Sequence, residues 1–156
     1  MTAPLRPPAL DPATLPEVNR TNYPEPFRAL VSGRYRRRLG DALGLTQFGV
    51  NLTRLEPGSA SAQRHWHALE DELVYVLEGE LTLVTDAGEQ LLTPGMCAAF
   101  KAGVPDGHHL VNRSDRPALL LEIGSRDPEE EAAYPDIDLH CGKGGAYRRK
   151  STGEPW

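Results

Sequence analysis

Cysteine is scarce: Cys97 and Cys141 are the only two among 156 residues. That is too few for a disulfide scaffold, so the chain must be held by its own core. Cys97, beside Ala98-Ala99-Phe100, reads as a small buried hydrophobe in a strand. Cys141 sits in a Gly-rich tail next to His140 and carries no nucleophile pattern. Positive charge is in deficit, with 17 basic against 22 acidic residues and a net charge of −5. This is the wrong sign for a nonspecific grip on nucleic acid or anionic membranes. No apolar run approaches the roughly 18 residues that span a bilayer, and the N-terminus lacks the basic-then-apolar layout of a secretory signal, so a cytoplasmic location is expected. Internal repeats and a helix-turn-helix pattern are also lacking, which argues against direct DNA binding. What is present, 39% hydrophobic residues in a chain of this length, suffices for one core.

Proline is unevenly placed. Residues 1–30 hold seven of the fourteen, which excludes a long helix or central strand there and implies an extended arm. Within it, Tyr23-Pro24-Glu25-Pro26-Phe27 offers two aromatic anchors for docking on the body or on a second subunit. Residues 31–125 alternate short apolar segments with turns, the pattern of an all-β sandwich or barrel. Strands are expected at Thr46–Leu55, Leu73–Leu77, Leu81–Thr85, Glu89–Leu92, Cys97–Phe100, His108–Val111 and Ala118–Ile123. Residues 126–156 form a tail. In it, Asp127-Pro128-Glu129-Glu130-Glu131 has the cap, proline and acidic first turn of a short helix, and Tyr134, Ile137, Leu139, Tyr147 and Trp156 supply apolar anchors.

The stretch His65-Trp66-His67-Ala68-Leu69-Glu70-Asp71-Glu72 carries the chemistry. Alternate side chains of a strand share a face, so His65 and His67 emerge together about 6.6 Å apart and can converge on one ion. Four residues form a connection, and Glu72 then opens the next strand, so that a hairpin returns it toward the histidines. Strand parity places Gln63 with His65 and His67, Val74 and Val76 with Glu72, and Leu110 and Asn112 with His108. It therefore predicts a mostly apolar pocket with Gln63, Val76 and Asn112 as substrate contacts. Trp66, Tyr75 and His109 fall on the opposite parity, facing outward.

Gly58, six residues, His65-x-His67, four residues, Glu72, six residues and Gly79 together resemble the first motif of the cupin superfamily, with one residue more than usual before the first histidine. A looser second motif follows in Gly95, Lys101-Ala102-Gly103 in place of the common Pro-x-Gly, and His108 separated by three residues from Asn112. The resemblance covers roughly Gln47 to Ile123. From Arg34 to Tyr147 the chain is similar to small single-domain bacterial cupins, some loosely labelled sugar-phosphate-isomerase-like. It implies a cupin-type double-stranded β-helix, a jelly-roll barrel with the extended arm and an irregular tail. It also implies that His65, His67, Glu72 and His108 are ligands of one divalent transition metal ion.

Such a donor set suits Zn, Mn, Fe, Ni or Cu, and ligand type alone does not choose among them. The ion would act as a Lewis acid in isomerase or lyase chemistry, or activate dioxygen in a dioxygenase. The leading expectation is a metal-dependent enzyme acting on a small polar hydroxy, keto or sugar-like substrate; the alternative is a noncatalytic small-ligand sensor or binding protein. Glu70 and Asp71 flank the ligand turn as lesser acid/base candidates, and Lys101 faces either pocket mouth or solvent. Arg34, Arg36, Arg37 and Arg38 read first as the charged edge strand that discourages edge-to-edge pairing and second as an anion site. The arm, the outward aromatics and the tail together lead us to expect a homodimer.

Overall fold

Glycine and proline cut the chain into short extended segments. The structure, a computed structural model, describes residues 5–156; the part of the expected arm at residues 1–4 lies outside the described residues. In chain order the strands are β1 (Arg34–Arg38), β2 (Phe48–Leu55), β3 (Trp66–His67), β4 (Glu72–Glu78), β5 (Leu81–Thr85), β6 (Gly88–Leu92), β7 (Cys97–Phe100), β8 (His109–Val111), β9 (Ala118–Ser125), β10 (Ala132–Ala133), β11 (His140–Gly142) and β12 (Ala146–Arg148). A single helical turn, α1 (Leu39–Ala42), links β1 to β2. No helix among the described residues is long and apolar enough to cross a membrane.

All pairings are antiparallel, in sheets ordered β1-β2-β9-β4-β7, β6-β5-β8 and β12-β11-β10-β3, the arrangement of a jelly-roll barrel. Period-two alternation assigns the faces. In β4, Val74 and Val76 are fully buried, whereas Leu73, Tyr75 and Leu77 are 36–39% exposed. In β9, Ala118, Leu120 and Glu122 point inward. Leu55, Val74, Val76, Leu81, Leu83, Leu110 and Leu120 form the core of the barrel, each contributing roughly 1.5–3 kcal/mol by burial.

Two glycine turns set the geometry near the site. Gly79 has φ of 75°, and a Cβ there would stand 2.9 Å from both the Ala118 Cα and the Pro117 carbonyl oxygen, so conformation and space both require glycine. Gly58, with φ of 81°, donates its N–H to the Asn112 carbonyl and ties the end of β2 to the end of β8.

Arm and tail build a second apolar cluster against each other. Tyr23 and Val31 pack with Ala132, Tyr134 and Leu139, and Phe27 meets Trp156 edge-on at 5.1 Å. The arm also bonds reciprocally through Val18 to the Arg36 backbone at 3.0 and 3.1 Å, covering the outer edge of β1. That edge is therefore capped by backbone pairing at Arg36, and the Arg37 side chain adds a bond to the Leu15 carbonyl and an ion pair with Glu17 of the arm.

Two sequence expectations are corrected. Cys97 is exposed, because in β7 it lies opposite the outward-facing Tyr75. No helix forms at 127–131: the Asp127 carboxylate accepts from the Glu129 N–H in one turn, and the chain then extends so that Ala132–Ala133 pairs with β3. Strand pairing, which buries Ala132, outweighs the local capping signal.

Candidate metal centre

Three separate pairings bring the four expected ligands together. His65 and His108 form an isolated bridge in which each backbone N–H donates to the other's carbonyl, at 3.2 and 2.8 Å. His67 lies in β3, held by Ala132 of β10. Glu72 begins β4 between Gly124 and Phe100. Phe100 in turn stacks on the His108 ring with centroids 3.5 Å apart and planes 1° from parallel, fixing its orientation.

The donor atoms converge. His65 Nε2 lies 3.0 Å from His67 Nε2, and Glu72 Oε2 lies 3.0 Å from His108 Nε2, 3.5 Å from His67 Nε2 and 4.0 Å from His65 Nε2. Tautomers follow from the outer partners. His65 Nδ1–H donates to the Gln63 carbonyl at 2.8 Å and His67 Nδ1–H to the Glu130 carboxylate at 3.2 Å. In that tautomer both Nε2 lone pairs point to a shared position that a cation can occupy; without a cation, a proton on His67 Nε2 is shared with His65 Nε2 and Glu72. Two imidazoles bound side by side at about 2.0–2.1 Å from one ion stand roughly 3 Å apart, so the residues present fit a divalent metal. Among the described residues the buried His108 Nδ1 has no hydrogen-bond partner.

The electrostatics agree. Burial drives His65 down to about 3, keeping it neutral and available as a ligand. For His67 burial also disfavours the charge, but hydrogen bonding and attraction from Glu72 and Glu130 outweigh it and raise its pKa. Burial opposes ionisation of Glu72, yet its bonds with His108 and His67 hold it well below the usual carboxylate range.

Glu130 is the functional neighbour that sequence reasoning missed. Its carboxylate accepts from Ala68 N–H at 2.9 Å and Leu69 N–H at 2.7 Å as well as from His67, so the tail clamps the turn between ligands. Its only sequence signal was an acidic run, read as a helix start. Removing such an outer carboxylate costs about 10–100-fold in metal affinity. Glu130→Ala is expected to weaken metal binding by that factor in a competition titration, with partial recovery in Glu130→Gln, whose oxygen still accepts from His67. Equal affinity in all three proteins would reduce Glu130 to a loop clamp.

Gln63, Val76 and Asn112 are not pocket contacts. Residues 61–64 are bent, so parity does not run from His67 back to Gln63, whose amide donates to the Phe27 carbonyl at 2.8 Å. Val76 is fully buried in the barrel core, beyond the site. Asn112 is also fully buried, and both its amide atoms are engaged by backbone and Ser114. Trp66 and Lys101 line a separate cavity of about 220 Å³ on the far side of His67 and His108. His109 bonds the Ala62 carbonyl at 3.0 Å.

The cavity in front of the ligands holds about 410 Å³ and is walled by polar groups, not the apolar ones expected. β1 turns Arg34 and Arg36 inward. Arg36 grips Glu122 with Nε and Nη2 at 2.7 and 3.0 Å, and the Thr53 hydroxyl donates to the same carboxylate at 2.8 Å. Glu70 lines this cavity and a second one of about 380 Å³ behind His67; burial raises its pKa.

A jelly-roll barrel with His65, His67 and Glu72 close enough to hold one ion, and His108 bonded to Glu72, defines a β-barrel protein with a candidate metal site. The chain belongs to the cupin superfamily. A family model for the cupin domain matches residues 51–124. A sugar phosphate isomerase from a cupin superfamily, from Silicibacter pomeroyi, is 49% identical, with 96% of each chain covered and a TM-score of 0.89. A protein of Acidithiobacillus ferrooxidans is 31% identical over 75% of this chain and 76% of its own, with a TM-score of 0.70. The polyketide cyclase of Streptomyces resistomycificus shares the fold at 20% identity, covering 76% of this chain and 79% of that one with a TM-score of 0.63. Comparison with curated proteins returns no match.

Proposed function

We propose that this protein is a metal-dependent cupin enzyme acting on a small hydroxy, keto or sugar-like molecule. The observation that carries the reading is the convergence of His65 and His67 Nε2 with Glu72 Oε2 at the wall of the 410 Å³ cavity, with His108 Nε2 3.0 Å from the same Glu72 oxygen. A divalent ion held there would polarise substrate oxygens as a Lewis acid or, if redox-active, support oxygen chemistry. The chain's own residues supply the rest. Arg36, Glu122 and Thr53 form a closed network that gives the cavity a rigid polar wall. Glu70, with its raised pKa beside His67, is the group placed to exchange a proton with a bound molecule. The 49%-identical relative is named for sugar phosphate isomerisation, which supports substrates carrying vicinal oxygens.

The test is elemental analysis of protein purified without a metal column, followed by turnover of hydroxy, keto and sugar compounds by the loaded and stripped forms. Stoichiometric metal and turnover that disappears on stripping are expected. Stoichiometric metal with a tightly held compound left unchanged would make the protein a binder.

A further inference from the structure

Arg34 lines the same cavity as His65, His67 and Glu72, is 6% exposed and has no carboxylate within ion-pairing distance among the described residues. Its guanidinium makes one hydrogen bond, from Nη1 to the Ser61 carbonyl at 2.6 Å. The next inward residue of β1 shows what a satisfied arginine looks like here: Arg36 is neutralised by Glu122 through two hydrogen bonds, and Glu122 also accepts from Thr53, whereas Arg34 makes no hydrogen bond to that carboxylate. Arg36 Nη2 also approaches the Ser61 carbonyl, at 3.4 Å, which sets two guanidinium groups side by side. Burial and this neighbouring charge lower Arg34 to about 10, where it is still a cation at neutral pH.

An unpaired ion out of water costs several kcal/mol, so a buried cation facing a cavity is stable only with a counter-charge nearby. The cavity's carboxylates do not pair with it. Glu122 is matched by Arg36, Glu72 is engaged by His108 and His67, Glu70 accepts from the Asp127 N–H and Asp71 from the Ala102 N–H, and none of the four lies within ion-pairing distance of Arg34. Arg20, exposed on the rim, adds further positive potential. A guanidinium offers five N–H groups in a planar fork suited to two oxygens at once.

We propose that Arg34 is the centre of an oxyanion subsite, and that the molecule bound at the metal centre carries a carboxylate or phosphate group received there. The position of the rest of that molecule rests on the metal-centre reading above; the subsite itself does not. Nothing else in the cavity offers an uncompensated charge of either sign at comparable burial, so the recognition is for an anion and not for a neutral polyol.

The experiment is thermal unfolding of the full metal-loaded chain in sodium phosphate, sodium acetate and sodium chloride at matched ionic strength, with metal content measured in parallel. One of the two oxyanions is expected to raise the Tm of the wild type over chloride by mass action, the larger shift telling phosphate from carboxylate. In Arg34→Met the apparent anion affinity falls at least about tenfold, the loss of a charged hydrogen bond, while metal content is unchanged. Arg34→Lys keeps the charge without the fork and retains part of the shift; it replaces the methionine variant if that one does not fold, and unchanged anion affinity in it then counts against the subsite. The proposal is overturned if neither anion shifts the wild type or if Arg34→Met shifts as the wild type does. Wild-type protein that holds no metal but keeps an Arg34-dependent shift sinks the metal reading and leaves the subsite standing.

Discussion

His67→Ala is expected to abolish stoichiometric metal binding. His67 is bonded on both sides: Nε2 faces the common point with His65 and Glu72, and Nδ1 is fixed by Glu130. Its loss therefore removes one donor and frees the Glu130 carboxylate from the cluster. The fall in affinity should exceed the roughly 100-fold that marks the upper end for outer partners alone. Stability gives a second readout. A metal present at about 1,000 times its Kd stabilises the native state by about 4.1 kcal/mol, so adding metal should raise the Tm of the wild type and leave that of His67→Ala where it was. The metal-free variant should unfold somewhat earlier than the metal-free wild type, because the contacts of His67 with Glu72 and Glu130 are lost, although β3 still pairs with β10 through its backbone. A variant that kept full metal at unchanged affinity would remove His67 from the ligand set.

The parts legible in the sequence are those whose signal is local. β5 and β7 stand where alternation and turns placed them, at Leu81–Thr85 and Cys97–Phe100. The nearness of His65, His67 and Glu72 follows from a strand and a short connection. His108 was legible only through family resemblance, since nothing near it in the chain shows that its backbone bridges to His65. Parity failed at Gln63 because it holds only within one extended segment, and residues 61–64 bend. It also said nothing about which face of β1 is inside: four arginines at consecutive and alternate positions look like solvated edge charges until Glu122 appears across the sheet, 86 residues away, to pair with Arg36. Glu130 was hidden for the same reason. A half-buried carboxylate that serves a remote histidine leaves no spacing rule behind.

Asn112→Ala should be the most destabilising change near the site while leaving metal stoichiometry intact. The resemblance marks this residue by its spacing from His108, and parity suggested a substrate contact. The structure gives it a different task. Its Nδ2 donates to the Leu55 carbonyl at 2.8 Å and the Arg116 carbonyl at 2.7 Å, and its Oδ1 accepts from the Ser114 N–H at 3.0 Å and hydroxyl at 2.7 Å. One fully buried amide thus joins the end of β2 to the turn between β8 and β9. Truncation leaves buried backbone groups without partners at about 1–3 kcal/mol each, and because Arg116 and Ser114 are near water the total should be roughly 3 kcal/mol. For a chain of this size that is a fall in Tm of roughly 6–12 °C. Asn112→Asp should not rescue it, since a carboxylate cannot donate to the Leu55 carbonyl and would bring an unpaired charge into the core. An unchanged Tm together with weakened ligand binding would return Asn112 to the pocket. The expected result, lower stability with the metal retained, makes it the tie that holds β8, and with it His108, against the rest of the barrel.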